Sequence, residues 1–152
     1  MKLAVISDTH GLLRESVLSG IQHADLILHG GDVGSPEIIE RLKEIAPVHA
    51  IRGNTDHGEF GRSLPSTDTI DLGGGLIYMV HDIADLDIDP AKAGVRLVIY
   101  GHSHEPAFSE EKDVCYLNPG SIGPRRFHLP ISYAVVDWNN GSFSHEFVTL
   151  RE

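Results

Sequence analysis

Five short apolar runs in this chain end in the same way. Ala4-Val5-Ile6-Ser7 leads into Asp8-Thr9-His10, and Leu26-Ile27-Leu28-His29-Gly30-Gly31 into Asp32. Ala50-Ile51-Arg52-Gly53 leads into Asn54-Thr55-Asp56, Ile77-Tyr78-Met79-Val80 into His81, and Leu97-Val98-Ile99-Tyr100-Gly101 into His102-Ser103-His104. A short apolar run bounded by turn residues reads as a buried strand. In open α/β sheets, ligand-binding groups gather beyond the carboxyl ends of the strands. This pattern predicts a fold that brings two Asp (Asp8, Asp32), one Asn (Asn54) and four His (His10, His81, His102, His104) to one rim. Gly11, Gly31, Gly53 and Gly101 stand beside them, where glycine permits tight turns and close backbone approach.

The segments between these runs set the fold class. Strands are expected over Lys2–Ser7, Asp25–His29 and Val48–Arg52. Between them lie a helix over Leu12–Ile21, with Leu13, Val17 and Ile21 on one stripe, and a helix opened by Ser35-Pro36 and stopped by Pro47. That β-α-β-α-β order implies a parallel sheet. Beyond it the chain is β-rich and reads as mostly antiparallel. Thr67–Leu72 and Leu76–Val80 flank a triple glycine, and Arg96–Tyr100 is a buried strand. Pro106–Leu117 divides around Glu110-Glu111-Lys112, and Ile131–Trp138 and Ser142–Leu150 flank Asn140-Gly141, a strong hairpin signal. The expectation is one domain over residues 1–152: two mixed sheets face to face with helices outside, a four-layer αββα sandwich.

Charge and cysteine content narrow the function. Twelve Lys and Arg against 22 Asp and Glu leave a net charge of −10, which repels phosphate backbones and argues against long nucleic acid as a partner. One cysteine excludes a disulfide scaffold and a cysteine-ligated zinc or iron–sulfur site. No apolar run approaches the ~20 residues that span a bilayer, and no signal peptide is read at Lys2, so a cytoplasmic location without membrane contact is expected. Ten histidines supply the commonest metal ligand.

Seven convergent ligands are too many for one ion and suit two. A mixture of carboxylate, amide and imidazole favours Mn, Fe, Zn, Ni or Co over Ca or Mg. Pairs of cations about 3.5–4 Å apart are typical of phosphatases and nucleases, so the residues point to a two-metal hydrolase acting on phosphate.

The ordered series Asp8-x-His10, Gly31-Asp32, Gly53-Asn54, His81 and Gly101-His102-x-His104 resembles the calcineurin-like metallophosphoesterase signature. The short length, the Gly53-Asn54-x-Asp56 form and the Asn118-Pro119-Gly120-Ser121 loop followed by Pro124-Arg125 are similar to its small YfcE-type phosphodiesterases. The resemblance implies that Asp8, His10, Asp32 and His104 hold one metal and that Asp32 bridges. Asn54, His81 and His102 complete the second site, and a hydroxide between the ions attacks phosphorus. Manganese is the first choice of metal. Asn54, Asp56 and His81 are taken as catalytic, Asn54 and Arg125 as substrate-binding. The implied function is metal-dependent hydrolysis of a small, nucleotide-like phosphodiester. The alternatives are a phosphomonoesterase with the same site, or a non-catalytic protein-binding scaffold of this fold, as in retromer. A homo-oligomer is the partner that small relatives suggest.

Two positions depart from the family pattern. Many larger relatives carry histidine after the Asn, where this chain has Thr55, so the leaving group lacks its usual proton donor; His57 is a weaker substitute. Relatives often show His-Gly where this chain has His81-Asp82. Asp82 either orders His81 or caps the next helix. Other residues read as structural: His23, His49 and His145 as surface or packing groups, His29 as core or a support for the ligands, and Cys115 as inert packing. Arg126 and His128 are weaker substrate candidates, and Asp85, Asp87 and Asp89 belong to a solvated helix start.

Overall fold

The computed structural model describes residues 1–152. The chain forms β1 (Lys2–Ile6), α1 (Glu15–Gly20), β2 (Leu26–His29), α2 (Pro36–Lys43), β3 (Val48–Ala50), α3 (Gly58–Ser63), β4 (Thr67–Asp71) and β5 (Leu76–Val80). A 3₁₀ turn (Ile83–Asp85) follows, then α4 (Pro90–Ala93), β6 (Val95–Ile99), β7 (Ala107–Glu111), β8 (Val114–Asn118), β9 (Ile131–Asn139) and β10 (Ser142–Leu150). No helix is long and apolar enough to cross a membrane.

Ten strands make two five-stranded sheets, ordered β10-β9-β1-β2-β3 and β4-β5-β6-β8-β7. The β1–β2 and β2–β3 pairs are parallel, as the alternating segments require. The later hairpins β4–β5, β7–β8 and β9–β10 are antiparallel. The later half is not wholly so: β6 pairs parallel with both β5 and β8. This parallel centre delivers β5 and β6 to the same rim, which a meander of hairpins would not do.

The period-2 alternation of strand side chains assigns each residue to a layer. Leu3 and Val5 of β1, Ile77 and Met79 of β5, Leu97 and Ile99 of β6, and Ala134, Val136 and Trp138 of β9 meet between the sheets. Ala4 and Ile6 face the other way, against Val17 of α1 and Ile38, Ile39 and Leu42 of α2. On the far side Tyr78, Val80, Val95 and Val98 form a thinner layer with Leu86 and Ile88. The two β-turns opposite the rim are locked together, with the Trp138 indole N–H donating to Gly73 O at 3.0 Å.

Two local expectations change. The first helix starts at Glu15, not Leu12, because Leu12 N–H closes a turn on Thr9 O and Arg14 is extended. The Arg14 guanidinium is bonded to the carbonyls of Ile122 and Gly123. Ser35 and Pro36 open α2 as expected, but the Ser35 hydroxyl makes no capping bond.

Candidate metal centre

All seven residues read as ligands lie just past strand ends at one rim: Asp8 and His10 after β1, Asp32 after β2, Asn54 after β3, His81 after β5, and His102 and His104 after β6. Five of them hold positive φ without being glycine: Asp8 (58°), His10 (46°), Asp32 (57°), His102 (70°) and His104 (65°). Such backbone costs of order 1–3 kcal/mol per residue and clusters at functional sites. The strain turns side chains away from the strand direction into a common space. Glycines open that space. A Cβ on Gly53 would strike the Asp32 carboxylate and backbone amide, and one on Gly101 would strike Asp8 Oδ2 and Ser7 Oγ.

Each carboxylate spends one oxygen on the scaffold and turns the other inward. Asp8 Oδ2 accepts from Ser7 Oγ at 2.6 Å and from His102 N–H at 3.2 Å. Its Oδ1 is buried with no hydrogen-bond partner, a costly condition for a carboxylate that a cation would relieve. Asp32 Oδ1 accepts from Thr55 N–H at 2.9 Å. Asp32 Oδ2 lies 3.6 Å from His10 Nε2 and 3.3 Å from His81 Nε2, so this oxygen sits between the two halves of the cluster.

In one half, His104 Nε2 is 3.3 Å from Asp8 Oδ1 and 3.3 Å from His10 Nε2. In the other, Asn54 Oδ1 is 3.0 Å from His81 Nε2 and 3.1 Å from His102 Nδ1. Donor atoms around one ion at about 2.1 Å stand roughly 3.0–3.4 Å apart in octahedral or tetrahedral coordination. The residues present therefore fit divalent cations. Asp8 belongs with His10 and His104 and also with Asp32 and His81, so it is shared by the two groups.

The groups behind the ligands explain their orientation. His81 Nδ1 is 2.7 Å from Gly30 O, so Nδ1 carries the hydrogen and donates it, which leaves the Nε2 lone pair for the cluster. Burial opposes charge on this ring, but the Asp32 hydrogen bond and the Asp8 charge prevail and raise its pKa to about 9. Burial likewise opposes charge on Asp32, and the bonds from His81 and Thr55 hold its carboxyl well below the usual range. A cation held at His81 Nε2 would take the place of the proton there. His29, fully buried, accepts from Gly31 N–H at Nδ1 (3.1 Å) and meets Thr9 Oγ1 at Nε2 (3.0 Å), while Thr9 Oγ1 donates to Val33 O at 2.6 Å. His29 is therefore a neutral post joining the two loops that carry Asp8 and Asp32; burial lowers its pKa to about 4 against the pull of Asp8 and Asp56.

Two sequence readings are corrected, and the choice left open at Asp82 falls to capping. Asp56 does not face the cluster: its oxygens accept from the backbone N–H groups of Val33 (3.2 Å), Gly34 (3.1 Å) and Gly53 (2.9 Å). It ties the Asp32 loop to the Asn54 loop, with both oxygens engaged by backbone amides. Arg125 is exposed, and its guanidinium donates to Leu129 O and Glu152 O, not toward a phosphate at the rim. Asp82 does not order His81. One oxygen accepts from Ala84 N–H and caps the 3₁₀ turn, and the other lies 3.6 Å from His102 Nε2.

Thr55 is exposed and contributes its backbone N–H, while His57 is exposed at the start of α3. His49 pairs with Asp68 and His145 stacks on Phe108; Cys115 is half-buried in β8. Ser7, which bonds Asp8 Oδ2, and Ser121, which bonds Asp8 O at 3.0 Å, support the centre. Ser7 directly precedes Asp8, which is a usable signal, and Ser121 closes the Asn118-Pro119-Gly120-Ser121 loop on which the family resemblance partly rests.

A family model described as the calcineurin-like phosphoesterase superfamily domain matches residues 1–141. The chain is 32% identical to a probable metallophosphoesterase of Methanothermobacter thermautotrophicus, over 80% of this chain and 77% of that protein. It is also 32% identical to phosphodiesterase YfcE of Escherichia coli, over 90% and 88% of the two chains. The solved structure of that phosphoesterase superposes with a TM-score of 0.69 at 26% identity, again over 90% and 88% of the chains. A zinc complex of Vps29 from Entamoeba histolytica shares the fold, with a TM-score of 0.77 at 24% identity over 98% and 99% of the chains.

Proposed function

The chain belongs to the calcineurin-like phosphoesterase superfamily, and from that premise we propose that it is a metal-dependent phosphodiesterase for small substrates, working as one domain over residues 1–152. The observation that carries this reading is the pair of donor groups around Asp8 and Asp32, including one carboxylate oxygen that is buried and unpaired. Its curated relatives include proteins named metallophosphoesterase and phosphodiesterase. Asp8, His10, Asp32 and His104 form one ion's cradle, and Asp32, Asn54, His81 and His102 the other's. Nitrogen and oxygen donors in near-equal number suit manganese, with iron, zinc, nickel and cobalt as competitors.

Two divalent cations held there would supply Lewis acidity to a water and to the phosphoryl oxygens. The chain's residues do the rest. Asn54 turns Oδ1 into the cluster and keeps its amide N–H groups free to donate to a phosphoryl oxygen. His81, fixed by Gly30 O, keeps its lone pair inward. Thr55 holds Asp32 through its amide and offers no acid to the leaving group, which favours esters whose alcohol departs unassisted.

A cleft of about 340 Å³ opens beside Asn54, His81 and His102, at the small end of ligand sites. Its wall carries Asp82, Asp85 and Asp87 against a single Arg52, whose guanidinium donates to Leu64 O. That negative wall favours the monoanionic diester over a dianionic monoester, and so favours the diesterase reading over the monoesterase one. We place the enzyme in the cytoplasm, where Cys115 stays a free thiol.

The test is to strip the protein with a chelator, restore it with Mn²⁺, Zn²⁺ or Ni²⁺, and compare bis-p-nitrophenyl phosphate with p-nitrophenyl phosphate. Metal-dependent turnover favouring the diester is expected. A preference for the monoester would replace the substrate reading, and no turnover with any metal would leave the scaffold reading.

A further inference from the structure

The two histidines of the second half are anchored differently. His81 is buried and its outer nitrogen donates to a backbone carbonyl. His102 is the more exposed ring, with 44% of its side chain open to solvent, and it sits on strained backbone at φ 70°. Its Nδ1 is the nitrogen that faces Asn54 Oδ1 at 3.1 Å. For that nitrogen to offer a lone pair, the hydrogen must reside on Nε2. The Asp82 carboxylate lies 3.6 Å from Nε2, within ion-pair reach and a few tenths of an ångström beyond hydrogen-bond length.

Resting on the two-metal reading above, we propose that Asp82 is a positioning residue for His102, holding its Nε2–H so that Nδ1 is presented to the second cation. The chain follows a ligand from β5, His81, with the residue that braces a ligand from β6. Asp82 Oδ1 is pinned by Ala84 N–H at 3.0 Å, and the 3₁₀ turn therefore sets where Oδ2 can point. A glycine here could not do this. Carboxylate–histidine–metal arrangements fix both tautomer and ring orientation, and their loss weakens metal binding 10–100-fold.

Asp82→Ser separates bracing from capping, because a serine hydroxyl still accepts from Ala84 N–H but is too short to reach His102. In metal-free protein at alkaline pH, ¹⁵N shifts of the His102 ring, assigned with His102→Gln, report the tautomer. Without a cation, Asn54 Oδ1 can only accept and pulls the ring toward Nδ1–H, so the test is the difference: the wild type is expected to show the larger share of Nε2–H and Asp82→Ser the smaller. Calorimetric titration with Mn²⁺ is expected to show the first ion bound as in wild type and the second 10–100-fold weaker, with Asp82→Glu recovering part of the loss. An unchanged tautomer in Asp82→Ser overturns the proposal, and so does equal weakening of both ions. A wild type that binds no Mn²⁺ but shows the Asp82-dependent tautomer would sink the two-metal reading and leave the Asp82–His102 contact standing.

Discussion

Acidification offers a sharp test of how the rim is built, because His29 is a buried histidine whose bonds require it to be neutral. Nδ1 accepts from Gly31 N–H, and Nε2–H is left for Thr9 Oγ1. Protonation would leave two N–H groups facing each other in a fully buried position. Burial disfavours the charged ring and lowers its pKa to about 4, against an ordinary 6.5. Between these values the unfolded chain binds a proton at His29 and the folded chain does not, so stability falls as pH falls through this window. Above pH 6.5 both states are neutral and the term vanishes. A gap of 2.5 units at about 1.36 kcal/mol per unit gives roughly 3 kcal/mol lost by pH 4. Other groups titrate there too, so the comparison is with His29→Gln, which lacks this proton site. Urea unfolding of both proteins, in chelator from pH 7.5 to 4, should show the wild-type advantage shrinking by roughly 3 kcal/mol. An advantage independent of pH would mean that His29 takes up its proton in place, and the neutral-post account would be wrong.

Three further outcomes follow from the geometry. Asp56→Ala leaves three backbone N–H groups without their acceptor and should cost about 3 kcal/mol or more in urea unfolding; retention of wild-type stability would contradict the scaffold role. Gly53→Ala drives a Cβ into Asp32 and should weaken Mn²⁺ binding at least tenfold by calorimetry while the far-ultraviolet circular dichroism stays native; unaltered affinity would show that Asp32 need not hold its place. Thr55→His should speed diesters with poor leaving groups more than those with good ones, flattening the dependence of kcat on leaving-group pKa; a wild-type series already flat would remove the premise.

Much of this protein is written locally. The apolar runs with period-2 alternation place Leu3 and Val5 on one face and Ala4 and Ile6 on the other, because burial on both sheet faces leaves no other use for such a segment. Asn140-Gly141 makes a hairpin turn with positive φ, as turn chemistry predicts, whereas the turn expected around Glu110-Glu111-Lys112 falls at Lys112-Asp113, with both glutamates inside β7. The convergence of the candidate ligands was legible for the same reason: strand ends are identifiable, and side chains able to bind a metal stand just after them. What the three-dimensional arrangement alone decided is where second partners point. Asp56 and Asp32 are both aspartates in polar loops, yet one is consumed by three amides and the other keeps an oxygen for the cluster. Asp82 follows His81 in sequence and faces His102 in space, since successive residues at a strand end point in opposite directions while neighbouring strands stand close. Local sequence specifies backbone and side-chain type over a few residues; hydrogen bonds between residues 20 to 100 positions apart depend on sheet order, which no single segment contains.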